Sequence, residues 1–141
     1  MRGVIRDLRA SLADPQDYNA RSNLMWESTM GENRIIKLGK RGDFQCHQME
    51  HQLGAYTDCN HGAGLAVLHP VYYRHIYKDG LPKFKRFAVC VWGIDPTGRS
   101  DEEVAAAGVE ALADFIKEIG LPTTLRELGV DESVDLGGLS E

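Results

Sequence analysis

The chain reads as an all-α protein, a helical bundle-like domain. Apolar residues recur at three- and four-residue spacing in segment after segment. No stretch alternates as a half-buried strand would, and the two β-leaning runs, "RIIKL" and "FAVCVW", are short. Helix punctuation falls between the apolar segments: Asp14-Pro15, Gly31, the run Thr57 to Asn60, and Gly120.

Taken in order, Val4, Ile5, Leu8 and Leu12 predict a first helix that stops at Asp14-Pro15, because proline disfavours helix in the residue before it. A second runs from Asp17 to Met30, carrying Tyr18, Leu24, Met25 and Trp26, and Gly31 ends it. Residues 31 to 42, charged and with a glycine at each end, read as a loop, after which Asp43 is a good N-cap for a helix to about Tyr56. "TDCN" breaks that helix through local side-chain hydrogen bonds. The next spans Gly62 to Tyr77, interrupted or kinked near Pro70. "KDGLP" is a turn, and Phe84, Phe87, Ala88, Val91 and Trp92 mark a helix over 82–93. Beyond the connection "DPTGRSDEE", Ser100 and Glu103 match a capping box that opens a helix over 101–119, with Val104, Val109, Leu112, Phe115 and Ile116 on its apolar side. Gly120 closes it. One helical domain over 1–129 is expected, with an acidic, glycine-bearing tail at 130–141 that should be frayed.

Composition limits the function. The chain has 141 residues, 43% hydrophobic and 26% charged, enough for one domain with a real core. A net charge of −5 argues against nucleic acid, which needs a concentrated basic surface. The one basic run, Lys37 to Arg41, is short enough to be a solvated loop. No apolar run approaches the ~20 residues of a membrane helix, and the N-terminus lacks the apolar stretch of a signal peptide, so the expected location is cytoplasmic and no membrane partner is implied. Three cysteines, Cys46, Cys59 and Cys90, form no C-x-x-C pair and suggest reduced thiols.

The chemistry concentrates in "HQMEHQLGAYTDCNH", residues 47 to 61. His47 and His51 lie four apart, on one face of a helix, a spacing that suits a divalent metal. His61 lies beyond a break that lets the chain turn back. His69 and His75 are read as structural. The run from His47 to His51 also spells H-x-x-E-H, the mark of one class of zinc peptidase. That reading makes Glu50 a general base and needs a third ligand from Glu102, Glu103 or Glu110. It gives His61 no role and leaves the glycine pair of "HGAGLA" unexplained.

"HQMEHQLGAYTDCNHGAGLAVLHP" resembles the metal-binding segment of the iron-containing (group III) alcohol dehydrogenases, patterned H-x-x-x-H, a stretch of small residues, then H-G-x-x-x-A. The flanks "DPQDYNARSNLMWEST", "KFKRFAVCVWGI" and "GLPTTLRELGV" are similar to the butanol dehydrogenase and NADPH-dependent aldehyde reductase branch. The resemblance implies that His47 and His61 bind a divalent metal, Fe2+ or Zn2+, which activates the oxygen of a small alcohol or aldehyde. It implies that His51 is not a ligand: it lies beside substrate and nicotinamide, as both catalytic and cofactor-binding residue, and carries the proton. Glu50 then has a helical or ligand-supporting role. Family members are far longer, with an N-terminal α/β domain that binds most of the NADP(H) or NAD(H) and an aspartate and a histidine that complete the metal site. No G-x-G-x-x-G occurs here, so the expectation is an incomplete dehydrogenase, inactive alone, whose partner is the N-terminal half or a second copy in a homodimer. The alternatives are a metal-binding or partner-docking helical module without catalysis and, less well supported, the metallopeptidase.

Overall fold

The computed structural model describes residues 1–40, 42 and 44–130, and among them every regular element is helical. They are α1 (Arg2–Ala13), α2 (Tyr18–Glu32), a 3-10 turn (Ile35–Lys37), α3 (Gln45–Thr57), α4 (His61–Ile76), α5 (Leu81–Phe87), a π-helical turn (Ala88–Trp92) and α6 (Asp101–Glu118). None is long and apolar enough to cross a membrane. The elements group into two compact units, one ending at Asp43 and the other starting at Phe44.

The first unit is a helical hairpin. Asp14, held extended at φ −135° and ψ 98° ahead of Pro15, ends α1 as proline sterics require. The Asp17 carboxylate caps α2 by accepting the Ala20 N–H at 3.0 Å. Ile5 and Ala20 are the buried apolar residues of this unit, and the buried Asp7 accepts both arms of the Arg6 guanidinium at 2.7 Å. Three large apolar residues of α2 face outward, Tyr18, Met25 and Trp26, while Leu24 and Met30 are half-buried. The segment read as a loop holds the short 3-10 turn, preceded by Arg34 in the left-handed region at φ 66°.

The second unit carries most of the core: Leu53 from α3, Ala66 and Val67 from α4, Ala88 from the π turn, and Val104, Ala105, Val109, Phe115 and Ile116 from α6. Its first helix begins at Gln45 with Phe44 at the N-cap; Asp43, expected as the cap, lies outside the described residues. Three features refine the sequence reading. Pro70 neither interrupts α4 nor ends it: the helix continues to Ile76 with Pro70 buried, which forgoes only one backbone bond, to the Ala66 carbonyl. The helix expected over 82–93 is instead α5 followed by a π turn, closed by Gly93 at φ 71°. There the Trp92 ring packs edge-on to Phe87 and against Phe115, with centroids 6.0 and 5.8 Å away. Val130, at the start of the expected frayed tail, is buried, and residues 131–141 lie outside the described part. The capping box at Ser100 is complete: Ser100 N–H donates to Glu103 Oε2 at 2.7 Å and Glu103 N–H to Ser100 Oγ at 3.2 Å. Cys46 is buried, Cys59 half-buried and Cys90 exposed, all as free thiols.

α6 packs against the π turn at Gly108, where a Cβ would stand 2.6 Å from Ala88 Cβ and 2.9 Å from its Cα. Neither atom can rotate away. Gly108→Ala should therefore lose more through overpacking, about 1–3 kcal/mol, than the ~1 kcal/mol that alanine gains over glycine in a helix. Urea unfolding followed by helical circular dichroism measures the balance, and a midpoint at or above wild type would contradict the close crossing.

Candidate metal centre

α3 and α4 are joined by only Asp58, Cys59 and Asn60. Each residue of this corner has a local task. Thr57 Oγ1 donates to the Leu53 carbonyl at 2.7 Å, Asp58 turns the chain at φ 53°, and Asn60 caps α4 by accepting the Ala63 N–H at 3.1 Å. A short polar side chain makes aspartate one of the few residues that tolerate the left-handed conformation. The sharp return places His61, the first residue of α4, against the face of α3 that carries His47 and His51.

The three rings form a triangle. Centroids lie 6.3 Å apart for His47 and His51, 5.5 Å for His47 and His61, and 5.4 Å for His51 and His61. His51 and His61 are exposed and His47 is half-buried. Phe44 stacks on His47 at 4.5 Å and meets His51 edge-on at 6.0 Å, which limits how far these rings can swing. All three candidate histidines thus meet in one corner.

Two further residues join them. His69, read as structural from the sequence, has its ring 6.0 Å from that of His47 and its Nδ1 3.0 Å from the Leu65 carbonyl. Burial pushes its imidazole below the ordinary value; the Leu65 bond opposes this and the neighbouring His47 adds to it. Its position two helical turns after His61 was the available signal. His75 stands exposed further along the helix. The other of the two is Glu50, expected from the resemblance in a helical or ligand-supporting role; it is only 1% exposed, and its Oε2 lies against His61 Nδ1. Gly64 makes room for it: a Cβ there would stand 2.8 Å from Glu50 Oε1 and 2.9 Å from its Cγ. Nothing in the residue type announces this burial, since glutamates are almost always exposed.

The donor set suits a divalent ion. One donor atom from each of Glu50, His51 and His61 lies within 4.8 Å of the others, and bonds of about 2.1 Å to one ion require donors within ~4.2 Å, a difference that small side-chain rotations cover. His47 is not among those three donors; its ring centroid stands 5.5 Å from that of His61 and 6.3 Å from that of His51. The peptidase reading fares worse. Its general base is buried against His61, and its three possible third ligands are engaged elsewhere: Glu102 with Lys78 at 3.0 Å, Glu103 in the capping box, and Glu110 with both arms of Arg74 at 2.7 Å.

Comparison with known proteins decides the family. Residues 1–136 match the model of the Fe-containing alcohol dehydrogenase family, C-terminal. The chain belongs to the iron-containing alcohol dehydrogenase family. Among curated family members it is 37% identical to NADH-dependent butanol dehydrogenase A of Clostridium acetobutylicum, over 92% of this chain and 33% of that protein. It is 32% identical to the NADPH-dependent aldehyde reductase YqhD of Escherichia coli, over 92% of this chain and 33% of that protein. The crystal structure of NADH-dependent butanol dehydrogenase A from Thermotoga maritima superposes with a TM-score of 0.89 at 34% identity, covering 98% of this chain and 34% of that one. The chain therefore corresponds to the all-helical C-terminal portion of the family and spans about a third of the length of the relatives it matches.

The glycines beside His61 should respond unequally. At Gly62 a Cβ would make only an ordinary contact, 3.4 Å from Asn60 Oδ1, whereas at Gly64 it would press on Glu50. Both sit in the first turn of α4, so the helix-propensity gain largely cancels between Gly62→Ala and Gly64→Ala. The second variant should be less stable than the first by about 1–3 kcal/mol, read from denaturant midpoints, and equal stabilities would show that Glu50 is not wedged there.

Proposed function

We propose that this chain is the metal-bearing helical part of an oxidoreductase that interconverts small alcohols and aldehydes with a nicotinamide cofactor, NADH or NADPH. The observation that carries the reading is the meeting of His47, His51 and His61 at one helical corner in a chain of the iron-containing alcohol dehydrogenase family. Relatives named as butanol dehydrogenases and an aldehyde reductase, with NADH and NADPH, support the substrate and cofactor classes.

His47 and His61 are the residues that would hold the divalent ion, Fe2+ or Zn2+, since imidazole nitrogen suits both. When bound, such an ion supplies Lewis acidity toward the oxygen of the alcohol or aldehyde. His47 enters with its ring restrained by Phe44. His51, exposed and one helical turn along, is the proton carrier between the reacting oxygen and water. Two imidazoles make an incomplete set, because zinc sites take at least three protein ligands. Completion of the metal site and binding of the dinucleotide fall to residues outside this chain.

In the holoenzyme, His47→Ala and His61→Ala should each strip most of the metal, while His51→Ala should retain it. His51→Ala should instead slow turnover by about 10²–10⁴-fold, the usual contribution of a general acid or base, and alter the pH profile. Elemental analysis of the three variants separates the roles. Loss of metal from His51→Ala with retention in His61→Ala would refute the assignment.

A further inference from the structure

Resting on that metal reading, we propose that Glu50 is a positioning residue: its buried carboxylate accepts the Nδ1–H of His61, fixing the ring tautomer and leaving Nε2 as the nitrogen offered to the ion. Three observations carry this. Glu50 is 1% exposed, so its carboxylate has given up water and needs a donor in return. His61 Nδ1 is that donor, in direct contact with Oε2. The fit is built into the backbone, because Gly64, one turn after His61, has no Cβ where Glu50 lies.

The contact gives the acidic side chain that lies between two histidines in sequence a partner on the next helix. Glu50 is three residues after His47 and one before His51, and it points into the α3–α4 contact. A neutral imidazole donates from only one nitrogen, and the hydrogen bond made there decides which nitrogen keeps its lone pair. With Nδ1 on Glu50, that nitrogen is Nε2, on a ring whose side chain stays 52% exposed. A carboxylate behind a metal-binding histidine fixes ring orientation and raises the basicity of the ligand nitrogen. The same three donors would also allow Glu50 to bind the ion itself, and the experiment separates the two arrangements.

Nitrogen NMR of the 141-residue chain, 15N-labelled at histidine and free of metal, should find His61 protonated at Nδ1 and not at Nε2. Added Zn2+ should perturb Nε2 while Nδ1 keeps its proton. Glu50→Met, of similar volume but without an acceptor, should let the Nε2–H tautomer appear and weaken Zn2+ binding about 10–100-fold; Glu50→Gln, which retains an acceptor oxygen, should recover part of both. The wild-type measurement stands even where a variant fails to fold. An Nε2-protonated His61 in the wild type overturns the assignment of Glu50, as does an unchanged tautomer in Glu50→Met. Displacement of the Nδ1 proton by Zn2+ overturns it in favour of direct ligation. A correct tautomer whose Nε2 stays unperturbed by Zn2+ both in this chain alone and in the holoenzyme, where the ligand set is complete, leaves the Glu50 contact in place but overturns the metal reading, and with it the role of Nε2.

Discussion

A carboxylate withdrawn from water is the constraint around which the histidine corner is arranged. Burying an ionised side chain without a partner is among the costliest events in folding, so the burial of Glu50 restricts its surroundings severely. A donor must lie within reach, and the facing helix must come close enough to exclude solvent. His61 meets the first demand and Gly64 the second. The approach of α4 to α3, the direction of the His61 ring and the absence of a side chain at position 64 are then one requirement seen from three sides.

The rest of the second unit supports that corner mainly through apolar packing. Arg74 and Glu110 clasp α4 to α6 with two 2.7 Å hydrogen bonds, and this geometry holds the Glu110 carboxyl below its usual range. Yet the two side chains are 46% and 55% exposed, and pairs so open to solvent typically contribute 0.2–1 kcal/mol. Each fully buried valine or phenylalanine is worth about 1.5–3 kcal/mol. Val104, Val109, Phe115 and Val67 therefore dominate over the ion pair.

Much of this architecture was legible in the sequence because its signals are local. Asp14-Pro15, Asp17, Asn60 and the Ser100/Glu103 pair act within a few residues of themselves, and each bounds a helix where periodicity placed one. The π turn was not legible: "AVCVW" satisfies an α pattern equally well, and its widening coincides with the lodging of Trp92 between Phe87 and Phe115, a tertiary event. The outward-facing Tyr18, Met25 and Trp26 escaped for the same reason, since periodicity tells which residues share a face but not whether anything covers it. At the site, the spacing of His47, His51 and His61 drew attention to the corner where the three rings meet. The burial of Glu50 and the arrival of His69 depended on how α3 and α4 pack, which spacing alone does not encode.

The three-residue link between α3 and α4 also bears on when the corner forms. His47 and His61 are fourteen residues apart, so their meeting requires closure of a short segment, an event of about 10–100 ns for loops of ~10 residues. Contacts so near in sequence carry little loop entropy and are favoured early. On the ribosome, where chains lengthen by only about 5–20 residues per second, the imidazoles can be gathered as soon as α4 has emerged, before α6 has been synthesised to cover it. The imidazoles are thus gathered across a three-residue link, and the order of synthesis brings them together ahead of the core that later encloses their helices.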